Sequence, residues 1–314
     1  MPIRRIAITG ALGHIGSRLI HQFIPGRFDQ VLLIDNLLTQ RYCSLFDLPG
    51  NVPFRFLQTD ILKADLQDIL AGCEAVIHLA AITDAANSFS NKDQVEEVNF
   101  HGTQLVAQAC AAVGARLVFL STTSVYGTQE AVVDESCGPG ELRPQSPYAE
   151  SKLQAERFLA TLTNLRYVIC RFGTIYGTSI GMRFHTAINK FCWQACMGEP
   201  LTVWRTALQQ RRPYLDLGDA VRALGFLLDQ DLFDSNVYNV LTENATVSEI
   251  VEAIRLHVPK LEVTLVDAAI MNQLSYHVAN RKFAARGFVT RGSLAEGIRE
   301  TLMLLRNSSL TCVS

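Results

Sequence analysis

The run Thr9-Gly10-Ala11-Leu12-Gly13-His14-Ile15-Gly16 stands between a short apolar stretch, Ile3 to Thr9, and a stretch of helical apolar spacing that begins at His14. Three glycines so placed permit a tight turn, let the backbone approach a diphosphate, and leave room for the helix to pack on the strand. The helix N-terminus then offers unpaired N–H groups to the anion. Glycines alone would also serve as plain turn residues, so the next strand matters. That stretch, Val31 to Ile34, ends in Asp35, nineteen residues after Gly16. A carboxylate there accepts hydrogen bonds from an adenosine ribose and repels a ribose 2′-phosphate, which predicts NAD over NADP. Arg41 is close enough in sequence to keep NADP as the lesser alternative. Gly10, Gly13, His14, Ile15, Gly16 and Asp35 are thus the first candidate cofactor residues.

β-rich runs continue at Phe54 to Leu57, Ala75 to His78, Leu117 to Leu120 and Tyr167 to Cys170, each a continuous apolar stretch suited to a parallel strand buried on both faces. Helical patterns alternate with them at His14 to Phe23, Asp65 to Leu70, Val95 to Val113 and Pro147 to Leu162. This alternation predicts a doubly wound parallel α/β sheet of Rossmann type. After Arg171 the order loosens into helices near Thr186 to Met197, Asp219 to Leu228, Val247 to His257 and Ser293 to Leu305, with a strand at Leu201 to Trp204. We expect a dinucleotide-binding domain over residues 1–171 and a smaller α/β substrate lobe over 172–314, packed as one unit.

The 314 residues carry 28 Lys plus Arg against 30 Asp plus Glu, a formal charge of −2, which gives no broad field for nucleic acid or an acidic membrane. At 48% hydrophobic and 18% charged, the chain has material for a large core. No apolar run reaches the roughly 18 residues of a membrane span, and no signal-peptide pattern opens the chain. The eight cysteines, from Cys43 to Cys312, lack the close pairing of a secreted disulfide framework. These features predict a cytoplasmic protein. Cys192 and Cys196 have helical i,i+4 spacing but no nearby partners to complete a zinc site, so they read as core and no metal is expected.

A second constellation is Ser146-Pro147-Tyr148-Ala149-Glu150-Ser151-Lys152. Ser146 suits an N-cap and Pro147 the first helical position. Tyr148 and Lys152 then fall at i and i+4 on one helix face. An ammonium beside a phenol favours the phenolate, as would an oxidised nicotinamide. Such a tyrosine can take the proton from a hydroxyl while hydride leaves its carbon. At the end of the fifth strand, Ser121, Thr122, Thr123 and Ser124 offer four hydroxyls that could orient the substrate oxygen, and chemistry alone does not choose among them. His78 ends an apolar strand and reads as a packing or hydrogen-bonding residue. Arg205, Arg211 and Arg212 are a possible diphosphate clamp or, equally, a solvated basic loop.

Thr9 to Gly16, Asp60-Ile61, His78-Leu79-Ala80-Ala81, Ser121 to Gly127 and Tyr148 to Lys152 together resemble the extended short-chain dehydrogenase/reductase family, in its NAD-dependent nucleotide-sugar branch. Looser similarity runs through Met182-Arg183-Phe184, Asn189, Arg212 to Asp219 and Tyr238-Asn239-Val240. The resemblance implies Thr122 as the catalytic hydroxyl beside Tyr148 and Lys152. It also implies Asp60 and Ile61 flanking the adenine, Ala80 lining the cofactor cleft, and Asn99 bracing the sheet. For substrate it points to Thr83, Thr122, Tyr148, Asn189 and Arg212, although Thr83-Asp84 could equally be a helix cap. A homodimer through the helices Val95 to Val113 and Pro147 to Leu162 is also implied.

Family dehydratases resemble Thr-Asp-Glu where this chain has Thr122-Thr123-Ser124, and decarboxylating relatives carry a glutamate at the position of Ser124. Neither Thr123 nor Ser124 titrates usefully near neutral pH, which disfavours both chemistries. The expectation is an NAD-dependent epimerase of a nucleotide-diphosphate sugar, at C4 through a keto intermediate. The alternative is an NAD-dependent dehydrogenase or reductase of a nucleotide sugar or other secondary alcohol, with a non-catalytic dinucleotide sensor a minor third. Two departures concern the substrate lobe: Asp216 stands where many members have histidine, and Thr174 where many have asparagine.

Overall fold

The computed structural model of the chain describes residues 2–85, 87–127, 132–267 and 275–306; Cys312 lies outside them. The first half lays down β1 (Arg5–Thr9), α1 (His14–His21), β2 (Gln30–Asp35), β3 (Phe54–Gln58), α2 (Leu66–Leu70), β4 (Ala75–His78), α3 (Lys92–Glu96), α4 (Gly102–Val113), β5 (Arg116–Thr122), β6 (Val132–Val133), α5 (Pro147–Leu159) and β7 (Tyr167–Phe172). The second half adds β8 (Thr174–Tyr176), α6 (Ala187–Met197), β9 (Leu201–Trp204), β10 (Arg211–Asp216), α7 (Leu217–Asp229), β11 (Val237–Val240), β12 (Glu243–Thr246), α8 (Val247–Arg255), β13 (Val263–Val266), β14 (His277–Val278), α9 (Arg281–Ala284) and α10 (Leu294–Arg306).

Seven strands form one sheet in the order β11-β7-β5-β4-β1-β2-β3, and every neighbouring pair is parallel. The apolar runs explain this: β1, β4 and β7 are almost wholly buried, as strands covered by helices on both faces must be. Two cores result. Ile6, Ile8, Val31 and Leu33 pack with α1 and α7 on one face; Ala7, Val76, Leu117 and Phe119 pack with α4 and α5 on the other. The order of winding reverses between β1 and β4, which opens a crevice at their carboxyl ends.

The expected boundary at residue 171 is crossed by the chain. Val237–Val240 returns to the main sheet beside β7, and α7 packs on the first core. Phe283 of α9 joins the first core as well, while α6, α8 and α10 build a separate core around the small sheet β12-β10-β8. Its strands are short, and β10 contains Pro213, so no alternating pattern marks them in the sequence. Arg211 and Arg212 accordingly sit in a strand, not in the loop that composition suggests.

The helical pattern over Val95 to Val113 begins earlier, at Lys92, and contains a π-helical segment, Glu97–His101. Asn99 lies in that segment. Its amide accepts from Ile82 N (2.8 Å) and donates to Ile82 O (2.9 Å) and Ser151 Oγ (3.3 Å), tying the end of β4 to α5. His78 is fully buried between Thr9 Oγ1 (2.7 Å) and Thr103 Oγ1 (3.0 Å). Thr103 donates to Asn99 O, so it accepts from Nε2–H; Thr9 accepts from Ala80 N, so it donates to Nδ1. That imidazole is neutral and satisfied, and burial pulls it down to about 3. Cys192 is buried in the core beneath α6, and Cys196 Sγ donates to Leu302 O (3.8 Å).

Candidate active site

The β1–α1 turn forms the floor of a cleft of about 410 Å³. Gly10 adopts φ +66°, and a Cβ there would stand 2.6 Å from Ala80 N at the end of β4. A Cβ on Gly16 would collide with the Ala11 carbonyl. Gly13 is less crowded: a Cβ there would stand 3.3 Å from Gly10 O, a tight contact, and 3.9 Å from Arg41 Nη1 beside the cleft. These positions need glycine for the turn, for packing and for approach respectively. Gly10, Gly13, His14, Ile15, Gly16, Asp35, Asp60, Ile61 and Ala80, all expected to meet the cofactor, line the cleft with Thr83, expected to meet the substrate; Tyr148 and Lys152, also expected at the cofactor, lie outside this lining.

Asp35 accepts from Leu12 N (3.1 Å) and Leu37 N (2.9 Å), one bond to each carboxylate oxygen, so lone pairs remain on both. Asp60 accepts from Leu62 N (3.0 Å) and the Asn36 amide (3.4 Å) at the far wall. His14, at the first position of α1, contacts Ser179 Oγ through Nδ1 (2.7 Å), while its buried Nε2 has no partner. Burial and the nearby cations Arg183, Arg41 and Arg18 push this imidazole down to about 3, so it is neutral. An unsatisfied ring nitrogen, the bare backbone of Gly13 and two arginines, Arg41 and Arg183, converge where a dinucleotide's diphosphate would meet the helix N-terminus. That donor set fits NAD.

The other part of the site begins where α5 begins. The Ser146 hydroxyl accepts from Ala149 N (3.2 Å) and Pro147 takes the first helical position, as the sequence predicts. Tyr148 is thereby set on the first turn, and its hydroxyl hydrogen-bonds Thr122. Thr122 also accepts from Ser124 N (3.1 Å). The other three hydroxyls are engaged elsewhere. Ser121 donates to Glu156, Thr123 donates to Phe172 O (3.3 Å), and both Thr123 and Ser124 contact Tyr276.

Burial raises the Tyr148 phenol above its ordinary value; the Arg183 cation and the Thr122 hydroxyl oppose this without overcoming it. The lowered phenol expected from the Tyr148/Lys152 spacing is therefore not what the structure has. Desolvation outweighs the nearby cations, and Arg183 is the cation that acts on the ring. Lys152 is buried, with Nζ 4.8 Å from the centre of the Phe119 ring. Loss of hydration pulls it down to about 7, with Glu156 pulling back upward.

Residues 6–240 match the model of the NAD dependent epimerase/dehydratase family. The chain belongs to this family. It is 30% identical over 263 residues to an uncharacterized UDP-glucose epimerase of Bacillus subtilis (strain 168), covering 80% of this chain and 81% of that one. Among solved structures it resembles MoeE5 in complex with UDP-glucose and NAD, at 28% identity and TM-score 0.83, covering 97% of this chain and 99% of that one. It also resembles the UDP-glucose 4-epimerase of Thermus thermophilus in complex with NAD, at 26% identity, TM-score 0.83 and the same coverage. Against a group of longer plant relatives the chain spans just under half of their length.

For an epimerase/dehydratase family member, the substrate side of the site departs from sequence reasoning in several places. Asn189 is fully buried on α6, where its amide accepts from Gly177 N (3.2 Å) and donates to Gly177 O (3.4 Å) and Arg183 O (3.1 Å). Its side chain is spent on the loop before α6, so it shapes that loop and does not reach the cleft. Arg205 pairs with Asp267 on the surface, and Arg211 turns to Asn244 O (3.0 Å) and Glu249, which removes both from a clamp. Arg212 hydrogen-bonds Gln210 (3.3 Å) and lies close enough to Tyr214 and Tyr276 for its charge to act on both. Asp216 caps α7 by accepting from Asp219 N (3.0 Å). Thr83 and Asp84 both line the cleft, and Asp84 also caps a turn by accepting from Asn87 N (3.1 Å).

Two residues that local sequence reasoning did not single out complete the site. Arg183 crosses to Thr83, donating to its hydroxyl, and its guanidinium acts on Tyr148. The loop that carries it is pinned to the glycine turn by Ser179–His14 and by Gly181 N donating to Ser17 Oγ (3.0 Å). Tyr276 arrives just before β14 and meets Thr123 Oγ1 at 3.3 Å. The isolated arginine between apolar Met182 and Phe184 was the available signal for Arg183; nothing local marks Tyr276.

Proposed function

We propose that this enzyme epimerises a UDP-hexose at C4 through a transient 4-keto sugar, with NAD bound and not consumed. The observation that carries the reading is the Thr122–Tyr148 hydrogen bond over buried Lys152 with no titratable side chain at positions 123 and 124. That arrangement suits oxidation at one carbinol but lacks the extra acid and base that eliminating water requires. NAD in the cleft supplies the hydride acceptor and donor at the sugar carbon. Tyr148 takes the C4 hydroxyl proton and later returns it, with the Arg183 cation favouring its phenolate; Thr122 orients that oxygen; Lys152, as ammonium, holds the nicotinamide ribose. Gly10, Gly13, His14, Ile15, Gly16 and Arg41 receive the dinucleotide diphosphate, Asp35 the adenosine ribose, and Asp60, Ile61 and Ala80 the remaining cleft walls. Thr83, Arg183 and Arg212 receive the substrate, and Arg212 anchors its diphosphate while the keto sugar turns to present its other face.

Residues 1–171 carry cofactor and catalysis and 172–314 carry the substrate, with β11 lent back to the sheet. A homodimer through the outer faces of α4 and α5, where Leu105 is exposed, and a cytoplasmic setting suited to the seven unpaired cysteines among the described residues complete the reading. No helix among the described residues is long and apolar enough to cross a membrane. Mass spectrometry of the nucleotides that co-purify tests the substrate class: a UDP-hexose and NAD are expected, and a non-nucleotide alcohol with NADP would contradict it.

Asp35→Ala removes a charge-assisted hydrogen bond to the ribose, and NAD should bind more weakly by about 1.5 to 3 kcal/mol. Fluorescence titration of NAD and NADP against both proteins checks this. Tighter binding of NADP than NAD by the unmodified protein would overturn the assignment of Asp35.

A further inference from the structure

One turn beyond Lys152 on α5 lies Glu156, equally buried. Arg171 of β7 grips its carboxylate, with Nη2 2.6 Å from Oε2 and Nε 3.0 and 3.3 Å from the two oxygens, and Ser121 donates to Oε1. The remaining Arg171 nitrogen, Nη1, donates to Tyr126 (3.0 Å), whose hydroxyl donates in turn to Asn239 Oδ1 (2.9 Å). Side-chain exposure is 5% for Arg171 and 6% for Glu156. Lys152 feels one carboxylate, this same Glu156. The other titratable groups around it are Tyr148 on α5 and the neutral His78 of β4; on the packed helix Lys92, Asp93 and Glu97 are exposed and Glu96 is half-buried. Two buried cations therefore share one buried anion.

The two cations are not equal. A guanidinium does not lose its proton inside a protein, whereas a buried lysine does so readily. Any shortage of negative charge in this cluster must fall on Lys152. We propose that Glu156, which touches neither substrate nor cofactor, is a positioning residue for the reaction: a counter-ion shared between Arg171 and Lys152 that keeps Lys152 an ammonium beside Tyr148. The inference rests on the role given to Lys152 above.

Opposite shifts distinguish this from a structural brace. Glu156→Gln leaves Arg171 charged, so Lys152 relieves the repulsion by giving up its proton and titrates at lower pH. Arg171→Met leaves Glu156 to Lys152 alone, which then titrates at higher pH. The chain has six lysines, so ε-¹³C-lysine NMR of the full-length protein, with Lys152 assigned by its absence in Lys152→Arg, reads the titration directly and needs no substrate. Shifts of about one pH unit or more are expected in each direction. The double variant Glu156→Gln/Arg171→Met is expected between them; if one single variant fails to fold, the double against the other still carries a signed prediction. Shifts of one sign in both variants, or none in either, would overturn the proposal. Opposite shifts in a protein that leaves UDP-glucose unchanged would retain this inference and remove the epimerase reading.

Discussion

Tyr148→Phe is expected to lower kcat by about 10²- to 10⁴-fold while NAD still binds. The ring keeps its place because what sets it there is the start of α5, where Ser146 caps and Pro147 leads, and neither depends on the phenol oxygen. Only the hydroxyl that pairs with Thr122 is lost. Without it no group at the start of α5 can take the substrate proton, since Thr122 does not ionise near neutral pH. Single-turnover kinetics with NAD affinity measured in parallel separates the two effects. A folded variant slowed only a few-fold would remove Tyr148 as the base.

Lys152→Met should be nearly as damaging and should act on both binding and turnover. Methionine fills similar space beside Phe119 but carries no charge to hold a ribose. A sign follows for the unmodified protein. A lysine pulled down to about 7 is fully charged below that pH and loses its proton as the pH rises through it. Since kcat/KM reports the free enzyme, it should fall as the pH rises above about 7, and the fall should be absent from the residual activity of Lys152→Met. An unmodified kcat/KM that stays level to pH 10 would contradict a required ammonium that loses its proton near 7.

Local spacing made half of this site legible. The glycine turn, Asp35 at the end of β2, and Tyr148 and Lys152 on one helical turn are each separated by few enough residues that backbone geometry decides where they point. β4 runs from Ala75 to His78 as its apolar run predicts. The substrate side has no such local determinant. Asn189 looks like a polar residue on a helix in a ligand-binding stretch, yet the loop it faces consumes its amide. Arg183 reaches Thr83 because the lobe packs its loop against the glycine turn, a contact between residues about a hundred positions apart. Tyr276 meets Thr123 across an even longer separation, through the pairing of β14 with β6. Burial was the other blind spot. The i,i+4 pattern displays the lysine–tyrosine pair but not the desolvation that raises the phenol and lowers the ammonium.

Whether hydride returns to the sugar separates an epimerase from a dehydrogenase. Purified protein incubated with UDP-glucose should be followed by NMR of the C4 configuration and, in the same sample, by absorbance of reduced cofactor. The expected result is the C4 epimer accumulating to equilibrium with no stoichiometric rise in NADH and no requirement for added oxidant. Steady NADH formation matching release of keto sugar, with no epimer, would contradict it and make the protein a dehydrogenase that uses Thr122, Tyr148 and Lys152 in the same places.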